Sequence, residues 1–308
     1  MGLNDLHRSD MVKLQVLIST YGTEGLRRLS KMHLPAVEGV EYRVHCQTGI
    51  SDGEDESERP GRISPPQSLV REDMTIVYSR TKGLSRNRNL ILHNATAHYC
   101  LIADDDISYT PEALKEVIAI FESNPDIDIA AFKSANTRCR PGDEGGCGDI
   151  SAPVEEKTYS DHPFDLRHPV KGYYLTSFEI AFRREPVVAS GIRFNENFGV
   201  GAPRYGSGEE ELWVHALLQS GMKGSFYPVM LALHHGATTG VRAAAEPRVL
   251  RAQGILIPVV YPLTGFPRLL LKGWRVSRQS GKSLLHCLRY LLSGYKDLLL
   301  HKKRIFQQ

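Results

Sequence analysis

The chain has no CxxC pair among its five cysteines, and five is an odd number. A disulfide framework is therefore not expected, and a reducing compartment is. A Cys139–Cys147 bridge across a glycine-rich loop is the minority alternative. There is no marked excess of either charge, because 38 Lys and Arg against 35 Asp and Glu leave a formal charge of +3. So mild a surplus does not argue for nucleic acid as a partner. No apolar run approaches the roughly 18 residues that read as a membrane span. The nearest, GILIPVVYPLTGF, is short and broken by prolines. The opening MGLNDLHRSDMVKLQVLIST carries acids early and an apolar stretch of strand length, so no secretory signal is expected there. Nothing repeats internally. What remains is 308 residues, 41% hydrophobic and 24% charged, the composition of an ordinary globular protein. That length can bury a sizeable core in one large domain or two small ones.

Strand and helix signals alternate along the first two thirds. KLQVLIST (13–20) reads as a strand followed by a turn at YGTEG. EYRVHCQ (41–47), MTIVY (74–78), HYCLIA (98–103) and IDIAAF (127–132) read as further strands, and GLSRNRNLILHNA as a helix. A second helix is well signalled. Thr110 suits the N-cap and Pro111 the first helical position. Leu114, Val117, Ile118 and Phe121 then fall at i, i+3, i+4 and i+7. Later, YYLTSFEIAFRR returns to strand character, a helix opens at Glu209, and GSFYPVMLAL forms a last strand ending at His234–His235. This alternation predicts an α/β fold, a mostly parallel sheet flanked by helices in the Rossmann manner. Residues 48–66 and 137–170 read as long loops. From about residue 241 the chain turns basic, Leu-rich and helical, which suggests a domain over 1–240 and a C-terminal extension over 241–308. Helices packed on the domain explain that tail; a basic amphipathic surface for peripheral contact with an anionic membrane is the sharper alternative.

Four places carry candidate chemistry. Asp104, Asp105 and Asp106 stand at the carboxyl end of a buried strand, the edge where open α/β sheets bind ligands. Three adjacent carboxylates repel, and a divalent cation would relieve them; Mg²⁺ or Mn²⁺ suits oxygen ligands that also hold substrate phosphates. A solvated turn before the Thr110 helix is the bland alternative. Glu209, Glu210 and Glu211 open a helix, where acids favour the dipole by a few tenths to about 1 kcal/mol without any further role. The glycine-laden FNENFGVGAPRYGSG before them is what suggests delivery of a general base. His234 and His235 close an apolar strand, a place where histidine is usually structural, although imidazole also binds Mn²⁺-type ions. Arg86 and Arg88, with Lys82 nearby, offer a clamp for a diphosphate or else form a solvated helix face.

These pieces stand in a familiar order: STYG, GLSRNRNLIL, CLIADDDI, FEIAFRR, FNENFGVG with GSGEEELWVHALLQSG, and ALHHG. In that order the chain resembles the family 2 nucleotide-sugar glycosyltransferases of the GT-A fold, over roughly residues 12 to 240. The resemblance implies a metal-dependent, inverting transfer from a nucleoside diphosphate sugar, with UDP as the expected nucleotide, to a glycan or lipid-linked hydroxyl acceptor. By the same resemblance Asp104 and Asp106 are the ends of a DxD motif; Asp106 binds the metal, while Asp104 and Asp105 approach the ribose and the metal's waters. Thr20 and Tyr21 match the first nucleotide-contacting turn, and Arg88 lies near the nucleotide. Glu209–Glu210 match the acidic pair, with Glu210 the base. His234 matches a late metal or diphosphate ligand, with His235 its rival. Two departures stand out. The base position carries Glu where Asp is frequent, and Glu211 blurs the register. The second strand ends in HCQTGISDG where the family places an acid that holds the nucleobase, so Gln47 joins the nucleotide-contact candidates and Asp52 lies far along. The 137–170 loop is expected to order over the donor and exclude water. The expected location is cytoplasmic, or peripheral at the inner face of the membrane. Two rivals share parts of the pattern: a sugar-phosphate nucleotidyltransferase and a non-catalytic nucleotide- or carbohydrate-binding module.

Overall fold

The structure, a computed structural model, describes residues 12–49, 63–137, 154–155, 157–235 and 244–306. Cys139, Cys147, Asp52 and most of the 48–66 loop lie outside the described residues, as does the first half of the 137–170 segment. By contacts the chain divides into two compact units. One comprises Met1–Lys82, Asn87–Ile192 and Leu217–Gly236; the other comprises Gly83–Arg86, Arg193–Ala216 and Ala237–Gln308. This grouping does not follow a boundary at residue 240, since residues 193–216 go with the tail.

The first unit is built on a sheet of ten strands among the described residues. They are β1 (Leu14–Tyr21), β2 (Val40–Gln47), β3 (Met74–Ser79), β4 (Tyr99–Asp104), β5 (Ile107–Tyr109), β6 (Ile129–Thr137), β7 (Val154–Glu155), β8 (Phe164–Asp165), β9 (Ile180–Arg183) and β10 (Gly224–His235). The order is β3-β2-β1-β4-β9-β6-β10-β5, with β7 on β6 and β8 on β10. The long pairings, β3 with β2, β2 with β1, β1 with β4 and β6 with β10, are parallel. The short ones are antiparallel: β9 lies between β4 and β6, and β5 against β10. The expected α/β, mostly parallel sheet is thus present, with short antiparallel strands that alternation alone does not reveal.

Burial explains the strand signals. Seven of eight residues of β1 and five of six of β4 are buried, the run expected of central parallel strands covered on both faces. Edge strand β3 buries only one of its six residues. The helices of this sheet region are α1 (Gly22–Leu29), α2 (Leu84–His93), α3 (Pro111–Ser123) and α4 (Arg184–Ala189). In α3 the Thr110 side chain accepts from the Ala113 N–H, Pro111 opens the first turn, and Leu114, Val117, Ile118 and Phe121 are buried. Phe121 stacks on Tyr99 of β4 at 4.8 Å between ring centroids, which ties the helix to the sheet. Each such apolar side chain contributes about 1.5–3 kcal/mol by leaving water.

Two local expectations change. YGTEG is not a simple turn: it opens α1, because Gly22 adopts a φ of +62° and the apolar Leu26 and Leu29 find the core. Only Ile180–Arg183 of YYLTSFEIAFRR is strand; Ser177–Glu179 forms a 3₁₀ turn just before it.

The second unit packs α5 (Glu209–Gln219, of which 209–216 belong here) with α6 (Pro247–Val260), α7 (Gly265–Ser280) and α8 (Leu284–Phe306). Phe194 stacks on Trp213 at 4.3 Å and Phe198 on Tyr205 at 4.6 Å. Helices α6 and α8 meet through glycines. A Cβ on Gly254 would stand 2.1 Å from the Leu291 carbonyl oxygen, and one on Gly294 would stand 2.0 Å from that of Arg251.

Candidate active site

Register sets the geometry at the carboxyl ends of the parallel strands. Ser19 pairs with Asp104, Tyr21 with Gln47 and Gln47 with Ser79, so Thr20, Tyr21, Gln47 and Asp104 share one sheet edge. Past Asp104 the chain turns through Asp105 and Asp106 into β5. Because β5 runs antiparallel to β10, Ile107 pairs with His234, and the His235 N–H donates to the Asp106 carbonyl at 2.9 Å. The triple Asp and the histidine pair, 128 residues apart from Asp106 to His234, are thus neighbours.

The three carboxylates then do three different things. Asp104 accepts from Arg88 Nη2 and from Ser177 Oγ, each at 3.0 Å. Arg88 is itself 3% exposed, so the Asp104 orientation is fixed from inside the protein. Asp105 turns inward. It accepts from Thr20 Oγ1 at 2.6 Å and from Arg28 Nε at 2.8 Å and Nη2 at 3.1 Å. Burial pushes its carboxyl above the usual range, and Arg28 and Thr20 oppose that shift. Gly25 leaves room for this knot, since a Cβ there would stand 2.1 Å from Thr20 Oγ1. Asp106 remains part-exposed, with Oδ2 3.3 Å from His234 Nε2. His234 is buried and stacks on Phe178 at 5.2 Å.

The two histidines differ in the same way. His235 Nε2 is 2.8 Å from Ser108 Oγ, and its Nδ1 is 3.4 Å from Thr137 Oγ1. Burial, then neighbouring His234, lowers its pKa, so a neutral ring holds β5, β6 and β10 together. Among the described residues no group of three or more His, Cys, Asp or Glu comes together as a ready metal cage. Asp106 and His234 alone nevertheless give one carboxylate and one imidazole, a donor pair that suits Mn²⁺ when phosphate oxygens and water complete its shell.

Other expected contacts separate. Gln47 is buried and donates to Thr81 Oγ1 at 2.8 Å, whereas Tyr21 at the same edge is 41% exposed. Arg86 and Arg88 do not form one fork. Two residues apart on a helix, they point about 200° apart, and Arg86 Nε instead donates to Glu196 at 2.8 Å. Asn87 between them donates to the Thr20 carbonyl at 3.2 Å and the His45 carbonyl at 3.0 Å, tying the ends of β1 and β2.

Sequence reasoning also missed a buried polar cluster beneath Ser177. Glu179, with no exposure, accepts from Lys157 Nζ at 2.6 Å, from Ser134 Oγ at 2.6 Å and from the Tyr159 hydroxyl. Lys157 further donates to the Tyr174 carbonyl and Thr176 Oγ1, and sits over the rings of Tyr159, Tyr173 and Tyr174. The FEIAFRR segment offered Glu179 as a visible signal, but Lys157 carried none.

In the second unit, α5 opens after Gly208 at a φ of +85°. Its three acids are not equivalent. Glu209 is 4% exposed and lies against Gly199, whose φ is +101° and whose absent Cβ would stand 2.9 Å from the Glu209 carboxyl carbon. Glu211 carries a cationic neighbour, Lys272, whose pKa burial lowers and Glu211 raises. Glu210 is half-buried.

Residues 67–172 match the family model described as glycosyl transferase family 2. Over that segment the chain is similar to glycosyl transferase family 2. The matched segment contains Arg88 and Asp104–Asp106; Thr20, Glu209–Glu211 and His234 lie outside it. Among solved structures, S. aureus TarS 1–349 is similar at a TM-score of 0.50 and 14% identity, with 92% of each chain covered. The same values hold for TarS 1–349 in complex with UDP. The mannosyltransferase PcManGT from Pyrobaculum calidifontis, in complex with GDP-Man and Mn²⁺, is similar at a TM-score of 0.50 and 13% identity, over 95% of this chain and 82% of that one. At such identities the likeness shows the fold, which is of the GT-A type. No curated protein sequence matches the chain.

Proposed function

We propose that this chain is an inverting, divalent-metal-dependent glycosyltransferase that moves a sugar from a nucleoside diphosphate sugar, by preference a UDP-sugar, to a hydroxyl acceptor in glycan or glycoconjugate synthesis. The observation that carries it is the pairing of Asp106 with His234 at the carboxyl edge of the parallel strands, beside an Asp104 oriented by buried Arg88. Asp106 and His234 would hold Mn²⁺ or Mg²⁺. Bound there, the cation neutralises the charge that develops on a departing diphosphate.

The chain's own groups do the rest. Arg88 and Ser177 lock Asp104 so that its carboxylate meets the donor in one orientation. Thr20 is engaged by Asp105, so its part is to shape the turn, while exposed Tyr21 offers a ring to the nucleotide. Glu210, half-buried at the start of α5, takes the proton from the acceptor hydroxyl as that oxygen attacks the anomeric carbon from the face opposite the leaving group. A single displacement of this kind inverts the anomeric centre. The reading is supported by the family match, and the presence of UDP in one similar structure and of GDP-Man with Mn²⁺ in another sets the donors to try first.

The test is release of free nucleoside diphosphate from a panel of UDP- and GDP-sugars, with and without Mn²⁺. Metal-dependent release from one donor, lost in Asp106→Asn, is expected. Binding without release from any donor favours the non-catalytic module, and formation of a nucleotide-sugar from a nucleoside triphosphate and a sugar phosphate favours the nucleotidyltransferase.

A further inference from the structure

From Gly265 to Phe306 ten lysines and arginines stand against a single acid, Asp297, and that acid accepts from the Tyr205 hydroxyl and pairs with Arg204. The same two helices expose large apolar side chains. On α7, Phe266, Leu270 and Trp274 follow at i, i+4 and i+8, and are 47%, 42% and 47% exposed. On α8, Leu285, Leu292 and Leu299 recur every seven residues, and are 79%, 37% and 66% exposed. Arg289 and Lys296, both exposed, are interleaved with them.

The packing puts both stripes on one side. Helices α7 and α8 touch through Gly273 against Leu288 and through the Phe266 and Tyr295 rings at 5.8 Å. Helix α8 meets α6 through Gly294. A helix turns about 100° per residue, so Leu292, two residues before Gly294, points nearly opposite to α6. Trp274 likewise stands two residues before Val276, which is buried with Leu250 of α6. Trp274 and the α8 leucines therefore face away from α6, while Phe266 lies at the α7–α8 seam. An apolar strip with a tryptophan, set among cations, matches the boundary between anionic lipid headgroups and acyl chains. No helix among the described residues is long and apolar enough to cross a bilayer, which fits lying on the surface.

We propose that the α7–α8 face docks on an anionic lipid bilayer, with Trp274 and Leu292 entering the headgroup boundary and Arg289 and Lys296 meeting lipid phosphates. The proposal does not depend on the catalytic reading, since it needs only the folded chain. Of the two tryptophans, Trp213 is 1% exposed and Trp274 faces outward, so fluorescence reports the face directly. The full chain is mixed with phosphatidylcholine vesicles with or without phosphatidylglycerol, and with brominated lipid. Expected are binding to the anionic vesicles only, quenching by the brominated chains, and loss of that quenching but not of binding in Trp274→Phe. Arg289→Gln and Lys296→Gln should each weaken binding roughly fivefold, and Leu292→Gln together with Leu299→Gln should weaken it at least as much. Circular dichroism verifies that each variant is folded. Equal binding to neutral vesicles, binding without quenching, or indifference to the leucine changes would overturn the proposal. So would a Trp274 blue shift that appears with protein concentration alone, alongside a dimeric mass by light scattering, since the occupant is then a second copy.

Discussion

Asp106 and His234 meet side chain to side chain at 3.3 Å, one in the turn after β4 and the other one residue from the end of β10. The short antiparallel pairing of β5 with β10 creates that meeting. Next to it, His235 is fully engaged by Ser108 and Thr137. Of the two histidines suggested by the sequence, the geometry therefore favours His234 for a cation and leaves His235 as the pin that holds three strands.

Glu210 and Glu209 should separate cleanly by mutation. Glu210→Gln is expected to lower turnover about 10²–10⁴-fold, the usual reach of a positioned base, with donor affinity unchanged. Glu209→Gln should instead cost roughly 1–3 kcal/mol of stability, because an amide in that buried place, packed on the Gly199 backbone, brings donors where the fold is built around carboxyl oxygens. Steady-state kinetics beside urea unfolding distinguishes the two. Normal turnover in Glu210→Gln would move the base to Glu209 or Glu211.

The Lys157–Glu179 pair predicts a stability effect with a defined pH dependence. Burial holds the Glu179 carboxyl above its usual range, with Lys157 the largest opposing influence. Lys157→Met leaves that acid uncompensated in the interior and should cost about 3–5 kcal/mol. A carboxyl whose folded pKa is raised binds its proton more tightly when folded. Its contribution to stability is therefore full below the unfolded value of about 4.3 and falls as pH rises through the folded one. Removing Lys157 enlarges the rise, so the deficit of Lys157→Met should be largest at neutral pH and shrink toward about pH 5. Urea midpoints across that range measure it, and the double change Lys157→Met with Glu179→Leu should recover part of the loss. Ser177 sits in the same 3₁₀ turn as Glu179, so the single variant should also loosen Asp104 and raise KM for the donor.

The glycine contact between α6 and α8 should tolerate no methyl. A Cβ at Gly294 would meet a backbone carbonyl at 2.0 Å, which no side-chain rotation relieves. Gly294→Ala is expected to destabilise the helical unit by about 1–3 kcal/mol or more, although Ala is the better helix former by about 1 kcal/mol. Thermal unfolding of the variant, together with loss of helical circular dichroism, checks this.

Much of this was legible in the residues. Thr110 and Pro111 announce α3 because capping is local chemistry, and the buried run before Asp104 announces a central strand because two covered faces need apolar residues throughout. The Asp triplet showed where to look for the site, yet not that its members divide into an oriented, a buried and a part-exposed carboxylate. That division depends on Arg88, Arg28 and Thr20, which lie 16, 77 and 85 residues from their partners. β5 is three residues long, too short for a period-two pattern, and strand direction has no periodicity at all. Helix α1 was hidden by Gly22 and Gly25, which read as breakers until the core contacts of Leu26 and Leu29 and the Thr20–Asp105 knot give them a purpose. Ser177 and Lys157 carried no pattern, since a single hydroxyl or amine gains its role only from the side chains folding brings to it.

The central claim is that Asp106 carries the cation which makes a nucleotide-sugar bind productively. The measurement closest to it is a thermal-shift titration with Mn²⁺ and the donor found in the release assay, comparing the parent chain with Asp106→Ala. The parent should show a donor-dependent rise in Tm that requires Mn²⁺, and Asp106→Ala should show none while remaining folded. A full Mn²⁺-dependent donor shift that survives Asp106→Ala would contradict the account.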